Sequence, residues 1–275
     1  MAARVRIAAV GEIVLDVYLP APEEEGRLGG ISVNFARCAL RSGASVALYG
    51  AIGTDARGRL LAAELAGSGL ERRVRELPGA SAIQRIRLAP DGERIFCGFD
   101  AGVLERYRLT DAELVELEDF DAVALTCSAE LAGVFGQVMA LPLGPRTRRV
   151  ADFSQDSPGG DPARPDGWVH PYLDRLAVAF VGGQPSFLEP LRVLSVATDT
   201  LLVLTVGPAG AYAIQRGRVL HQPSLARTVV DTTGCGDAFQ GAFTAAYLAG
   251  AGLEHALGAG AECAAHVASR VGASP

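Results

Sequence analysis

The sequence predicts an α/β fold in three layers, with helices on both faces of a central mostly parallel sheet and a small β appendage. Three observations carry that expectation. Short apolar runs alternate with segments of helical apolar spacing in βαβα order from the amino terminus. The chain has 275 residues and is 49% hydrophobic, enough for one large domain with a sizeable core. Near the carboxyl end an apolar run meets a glycine-rich turn and then a helix, VVDTTGCGDAFQGAF over 229–243.

Taken in order, residues 4–10 read as a first buried strand and 11–18 (GEIVLDVY) as its exit. Asp16 is then just past the strand end, where ligands collect in open α/β sheets. As a bare feature it is equally a solvated turn residue. Residues 21–27 are short and acidic and lead to GGISVN, a helix-entry turn containing Gly29, Gly30 and Asn34. A helix over 32–42 ends at Gly43, 46–52 forms the next strand, and 57–66 the covering helix. Residues 81–88 alternate in polarity, Pro90-Asp91-Gly92 turns the chain, and 93–99 returns as a half-exposed antiparallel hairpin.

Thr110-Asp111-Ala112-Glu113 has the pattern of a capping box for a helix running to about Leu117. Strands are expected at 122–126, 150–153, 176–181 and 201–206, and a strand pair at 210–216 and 217–221; residues 157–166 read as a surface loop. After the glycine-rich turn, Phe239, Phe243 and Tyr247 recur every four residues, a core-facing helical stripe that stops at Gly250. Residues 253–271 are Ala-rich and helical.

The turn itself points to chemistry. Gly234 and Gly236 flank Cys235, letting the backbone approach a ligand, and the free N–H groups of the helix's first turn favour an anion. Asp237 at that helix start is either an N-cap or a general base that takes a proton from a hydroxyl attacking a phosphoryl group.

DTTGCGD resembles the D-T-x-G-A-G-D motif of the ribokinase-like (PfkB) carbohydrate kinases, with Cys235 in place of the usual Ala. The GG pair and Asn34 resemble the family's amino-terminal motif, and Thr205, Gly207 and Gly210 match its T-x-G-x-x-G segment. The resemblance implies a ribokinase-like fold with lid segments at about 17–28 and 81–99, reduced here because the first is short. It implies Asp237 as catalytic base with Gly234, Cys235 and Gly236 as the anion hole. Asp16, Gly29, Gly30 and Asn34 would bind the sugar, and Thr205, Gly207 and Gly210 would line the nucleotide phosphates. ATP and Mg2+ follow from it, with K+ near Asp231. The family's N-x-x-E motif is missing after the strand at 176–181, leaving Glu189 as the nearby carboxylate for a metal. A homodimer is allowed, although a reduced lid offers little surface for it.

The compact spacing from Asp16 to the GG pair and the Asp152-Phe153-Ser154 segment are similar to the fructoselysine 6-kinase subgroup. That favours an Amadori sugar conjugate as acceptor over ribose, fructose or a nucleoside. A kinase-shaped sugar sensor without turnover is the alternative from another class. A dinucleotide-dependent dehydrogenase lacks G-x-G-x-x-G after the first strand.

Composition removes other classes. The net charge of −6 and the lack of a basic block argue against a nucleic-acid surface, and a cytoplasmic location is expected. Five scattered cysteines without a CxxC pair argue against a disulfide framework or zinc site, and the four histidines lack ligand spacing. All 25 basic residues are arginines. The phosphate-binding Lys of a P-loop and any Schiff-base mechanism are thereby excluded, whereas a backbone anion hole needs no lysine.

Overall fold

Apolar residues on successive positions of the central strands face opposite sides, and each side has its own helices. In the computed structural model, which describes residues 4–153 and 165–273, β1 (Arg6–Gly11) sends Ile7 and Ala9 into one core and Ala8 and Val10 into the other. β2 (Val14–Tyr18) and β3 (Arg27–Gly29) follow, then α1 (Ile31–Arg41), β4 (Ser45–Gly53), α2 (Ala56–Ala66) and β5 (Glu71–Leu77). The hairpin β6 (Ala82–Leu88) and β7 (Arg94–Asp100) precedes α3 (Asp111–Glu116), β8 (Ala122–Thr126), α4 (Ala132–Ala140) and β9 (Arg148–Asp152). The chain ends with α5 (Pro165–Val169), β10 (Val178–Gly182), α6 (Leu188–Leu194), β11 (Leu201–Thr205), β12 (Ala211–Gln215), β13 (Arg218–Gln222), α7 (Cys235–Leu248) and α8 (Leu253–Ala268).

Nine strands form one sheet in the order β13-β12-β11-β10-β9-β8-β1-β4-β5, parallel except where β12 pairs β11 and β13. One face packs on α1, α2, α7 and α8 through residues such as Phe35, Leu61, Phe243 and Leu257. The other packs on α4, α5 and α6 through Phe135, Val138, Val169 and Leu191. This is the three-layer αβα arrangement. The chain leaves β1 toward β4 and later returns on its other side through β8, so β1 is the switch point where a crevice opens beyond the strand ends. A four-stranded sheet, β3-β2-β6-β7, stands over that crevice.

Several local expectations meet the structure closely. Thr110 Oγ1 accepts from the Glu113 N–H while Glu113 Oε2 accepts from the Thr110 N–H, the reciprocal cap read from the sequence. Phe239, Phe243 and Tyr247 stack along α7. Other elements differ. Asp16 is not past a strand but within β2 of the small sheet, because the apolar run around it is itself a second strand. Pro165 and Asp166, read as loop, open α5, while Ser154 and the rest of that loop lie outside the described residues. α7 begins at Cys235, so the glycine turn supplies its first residues. The edge strand β5 and helix α4 were not anticipated. β5 is mostly charged, and Arg73 pairs with Glu116 at 2.7 Å, a charged edge of the kind that discourages pairing with another chain.

Candidate active site

A cavity of about 930 Å³ runs along the carboxyl ends of the parallel strands, between α7, α8 and the small sheet. Glu12 after β1, Asp152 at the end of β9, Gly182 at the end of β10 and Thr205 at the end of β11 all line it. The size is at the upper end for one small-molecule site and accommodates two ligands side by side.

The floor is the turn before α7. Gly234 takes the left-handed conformation, φ 73°, and a Cβ there would lie 2.3 Å from that of Ala273. Only glycine turns the chain into α7 at this spot. A Cβ on Gly236 meets nothing within 4 Å, so that position faces open space. Among the described residues the N–H groups of Gly234 and Gly236 donate to no backbone carbonyl, whereas Cys235 donates to Thr232 at 3.2 Å. The three-residue anion hole expected from the sequence is therefore narrowed: the Cys235 N–H is already engaged by the turn. Two amides with the α7 dipole behind them remain to meet an anion.

Asp237 sits in the first turn of α7 and accepts a 2.9 Å hydrogen bond from Asn34 Nδ2 on α1. Cavity walls desolvate its carboxylate although the mouth leaves it in contact with solvent. Burial pushes its pKa up to about 7, with the bond from Asn34 opposing, Asp152 adding to the rise and Arg94 opposing it. Asp16 is buried in β2, and among the described residues its carboxylate has no hydrogen-bond partner. Burial, Asp237 and Glu12 push it up to about 8. Glu12, also buried, rises to about 8 from burial and from Asp237.

These three groups titrate together, and their linkage to folding has a definite sign. Each holds its proton in the folded protein to a higher pH than in the unfolded chain. The stability they contribute is full below about pH 4, the unfolded range, and is lost as pH rises through about 7 to 8. His266, held below its ordinary value by burial, works in the opposite direction and more weakly. The ligand-free protein should accordingly melt at a lower temperature at pH 8.5 than at pH 5.5 in differential scanning fluorimetry. A midpoint that climbs across this interval contradicts the clustered burial.

Asn34 Oδ1 is buried without a partner. Together with Asp16, whose two oxygens accept once the group is ionised, it complements hydroxyl groups. Gly29 is not a lining residue but the support for Asp16: a Cβ there would stand 1.9 Å from Asp16 Oδ2. Gly29→Ala must push the carboxylate aside, and kcat/KM for the acceptor should fall about 10- to 100-fold while nucleotide KM is unchanged. Steady-state kinetics with each substrate varied checks this.

Gly30 enters α1 with φ 101°, and its Cβ would lie 2.8 Å from the Glu12 carbonyl oxygen. At the other end of the cavity, Thr205, Gly207 and Gly210 line the wall between β11 and β12. Gly207, φ 52°, faces open space, and a Cβ on Gly210 would strike the Gln222 carbonyl oxygen at 2.1 Å. Ala261, Ala264, Ala265 and Ala268 of α8 give that end a smooth apolar wall.

The sequence-predicted residues thus converge on one cavity, except Gly29, Asp231 and Glu189. Glu189 is exposed and forked onto Arg192 at 2.7 and 2.8 Å, away from the cavity, so its expected place at a metal is corrected. Asp231 is fully buried beneath the turn: Oδ1 accepts from Thr233 N–H at 2.8 Å, and Oδ2 from the Tyr18 hydroxyl at 2.7 Å and the Gly272 N–H at 2.8 Å. Both oxygens are taken, which argues for a latch rather than a cation ligand. Among the described residues no cluster of three or more His, Cys, Asp or Glu is arranged to hold a metal ion.

Sequence reasoning missed Glu12, Gln240 and Arg94. Gln240 donates to Asp152 at 3.0 Å beneath the cavity. Arg94, at the start of β7, donates through Nη1 to the Thr232 carbonyl at 3.1 Å, and Thr232 N–H donates to Gly92 O at 3.1 Å. The hairpin tip is laced to the glycine turn, placing a cation over the cavity near Asp237. Its only sequence signal was a charged residue two positions after the Pro-Asp-Gly turn.

A three-layer sheet with a small second sheet over its strand ends is the ribokinase-like fold, and here an anion-binding helix start stands beside a buried carboxylate within it. Residues 192–275 match the model of the pfkB family carbohydrate kinases. Fructoselysine 6-kinase of Escherichia coli (strain K12) is 26% identical over 263 residues, spanning 94% of this chain and 95% of that enzyme. Fructokinase of Klebsiella pneumoniae is 29% identical, spanning 85% and 81%. The structure of Arabidopsis thaliana ribokinase complexed with ribose and ATP superposes with a TM-score of 0.77 at 21% identity, over 99% of this chain and 96% of that one. The carboxyl-terminal third of the chain thus matches the pfkB family model, and the whole chain is similar in sequence and fold to sugar kinases. No helix among the described residues is long and apolar enough to cross a membrane.

Proposed function

We propose that this kinase transfers the γ-phosphoryl group of ATP to a primary hydroxyl of a sugar conjugate, with a fructoselysine-like ketose derivative as the favoured acceptor. The observation that carries the reading is the meeting of Asp237, the two free amides of Gly234 and Gly236, and the partnerless Asp16 carboxylate in one cavity. The acceptor lies over Asp16 and Asn34 under the small sheet, its hydroxyls donating to Asp16 Oδ1 and Oδ2 and to Asn34 Oδ1. Asp237 takes the proton as the primary hydroxyl oxygen attacks phosphorus in line. The Gly234 and Gly236 amides hold the charge that grows on the phosphoryl oxygens, and Arg94 adds a positive charge above them. The alanine wall of α8 suits the flat apolar face of a nucleobase.

Open space at Gly207 and Gly236 fits a triphosphate laid along the strand ends. Mg2+ would be held chiefly by the phosphates and water, as this cation commonly is, and would neutralise phosphate charge there. Asp231, whose two oxygens already accept three protein hydrogen bonds, is a poor potassium ligand.

Glu12 and Asp16 side by side at the acceptor end suit a sugar that also carries a protonated amine, which fructoselysine has and fructose or ribose lacks. The similarity to fructoselysine 6-kinase supports the same choice. The test is ADP release over fructoselysine, fructose, ribose and a nucleoside, with thermal-shift measurements in parallel. Fructoselysine should give the highest kcat/KM. Stabilisation by a sugar without ADP from any of them would instead identify a sensor, the reading motivated by the missing N-x-x-E sequence.

A further inference from the structure

A thiol pair joins two helices that flank the glycine turn, and the phosphoryl-transfer chemistry has no use for it. Cys38 on α1 is fully buried, and Cys263 on α8, 225 residues later, is half-buried. Their Sγ atoms share a hydrogen bond at 2.8 Å. Ala238 and Val267 pack around them, with Cys235 at the edge of the same cluster.

The two sulfurs are chemically unequal. The close contact with Cys38 and the Arg41 guanidinium hold Cys263 below the ordinary thiol range, against its burial. The same contact and burial push Cys38 far above it. Cys263 is the thiolate former and the one open to solvent, and Cys38 is the protonated neighbour already in contact. Cys235 does not compete well, because burial pushes its thiol up to about 12.

We propose that Cys38 and Cys263 form a redox modification site that closes to a reversible disulfide with a two-electron oxidant such as hydrogen peroxide. The Cys263 thiolate attacks a peroxide oxygen, the O–O bond breaks, and sulfenic acid and hydroxide result. The Cys38 sulfur then attacks the sulfenic sulfur, the S–O bond breaks, and the oxygen leaves with the Cys38 proton as water. The proton lost earlier from Cys263 neutralises the hydroxide. Two thiols and one peroxide give one disulfide and two waters, the peroxide taking both electrons. Bond formation brings the sulfurs from 2.8 Å to about 2.0 Å.

The link would tie the two halves of the cavity together. Asn34 stands one helical turn before Cys38 on the same face of α1, and Ala264 and Ala265 beside Cys263 line the opposite wall. Neither thiol touches the reacting atoms, so the inference stands or falls independently of the acceptor.

The experiment oxidises the reduced full chain with hydrogen peroxide, alkylates the remaining thiols and maps the peptides of wild type, Cys97→Ser, Cys38→Ala and Cys263→Ser. A 38–263 linked peptide should appear in wild type and Cys97→Ser, vanish with dithiothreitol and be absent from the other two. Cys38→Ala should instead accumulate sulfinic acid at Cys263. Wild-type protein in which the exposed Cys97 has reacted fully but Cys38 and Cys263 remain alkylatable overturns the proposal. So does a linkage through Cys235. Because the decisive map is that of wild type, poor folding of a variant does not weaken the test.

Discussion

Asp237→Asn should lower kcat by about 10²–10⁴-fold, the range for removal of a positioned general base, and leave nucleotide affinity unchanged. The substitution is close to isosteric, and the amide oxygen still accepts from Asn34 Nδ2, so α1 and α7 stay joined. What is lost is the ability to take a proton. In free energy the effect is about 3–5 kcal/mol of transition-state stabilisation. Isothermal titration with a non-hydrolysable ATP analogue and steady-state kinetics on one preparation separate the two quantities. Near-normal turnover would remove Asp237 from the mechanism proposed above.

The pH profile gives the same residue a second check. A base must be ionised to act, and Asp237 has its pKa raised to about 7. For wild type, kcat/KM should therefore rise with pH up to about 7 and flatten above it, since this parameter reports the free enzyme. In Asp237→Asn that acid limb should disappear, leaving a low and flat profile. A limb that persists unchanged in the variant would belong to Glu12 or Asp16, whose carboxylates are raised to about 8 by the same burial.

How far these features were legible depends on whether the determining contacts are local. Gly234, Gly236 and Asp237 could be read directly, because a left-handed glycine, an open amide and a helix start are properties of adjacent residues. The Thr110 cap was legible for the same reason. Asp16 was found, but its setting was misread as a loop, since a lone carboxylate in an apolar run does not announce a second strand. Glu12 and Arg94 were not found at all. Glu12 matters because β1 lies at the switch point of the sheet, and Arg94 because a hairpin tip docks on a turn 138 residues away. Both facts are long-range. β5 escaped because its stability comes from pairing with β4 and from Arg73–Glu116, against a sequence too charged to look like a strand.

Asp231 shows the converse, a motif residue whose legible chemistry and actual contacts diverge. A carboxylate in the kinase motif suggests a ligand site, yet here it accepts from Tyr18, Thr233 and Gly272 and so joins the small sheet, the glycine turn and the segment after α8. Asp231→Ala removes three hydrogen bonds to a fully buried group and leaves two N–H donors and one hydroxyl without an acceptor. Each such loss costs about 1–3 kcal/mol. With partial relief from entering water, a destabilisation of about 3–5 kcal/mol is expected, or a fall in melting midpoint of roughly 5–10 °C. Asp231→Asn keeps one oxygen acceptor and should lose less than half as much. The drop should be the same in sodium and potassium buffers, because the carboxylate acts on protein donors and not on a cation. A midpoint difference between Asp231→Ala and wild type that appears only with potassium would reverse that assignment and return Asp231 to the metal role read from the sequence.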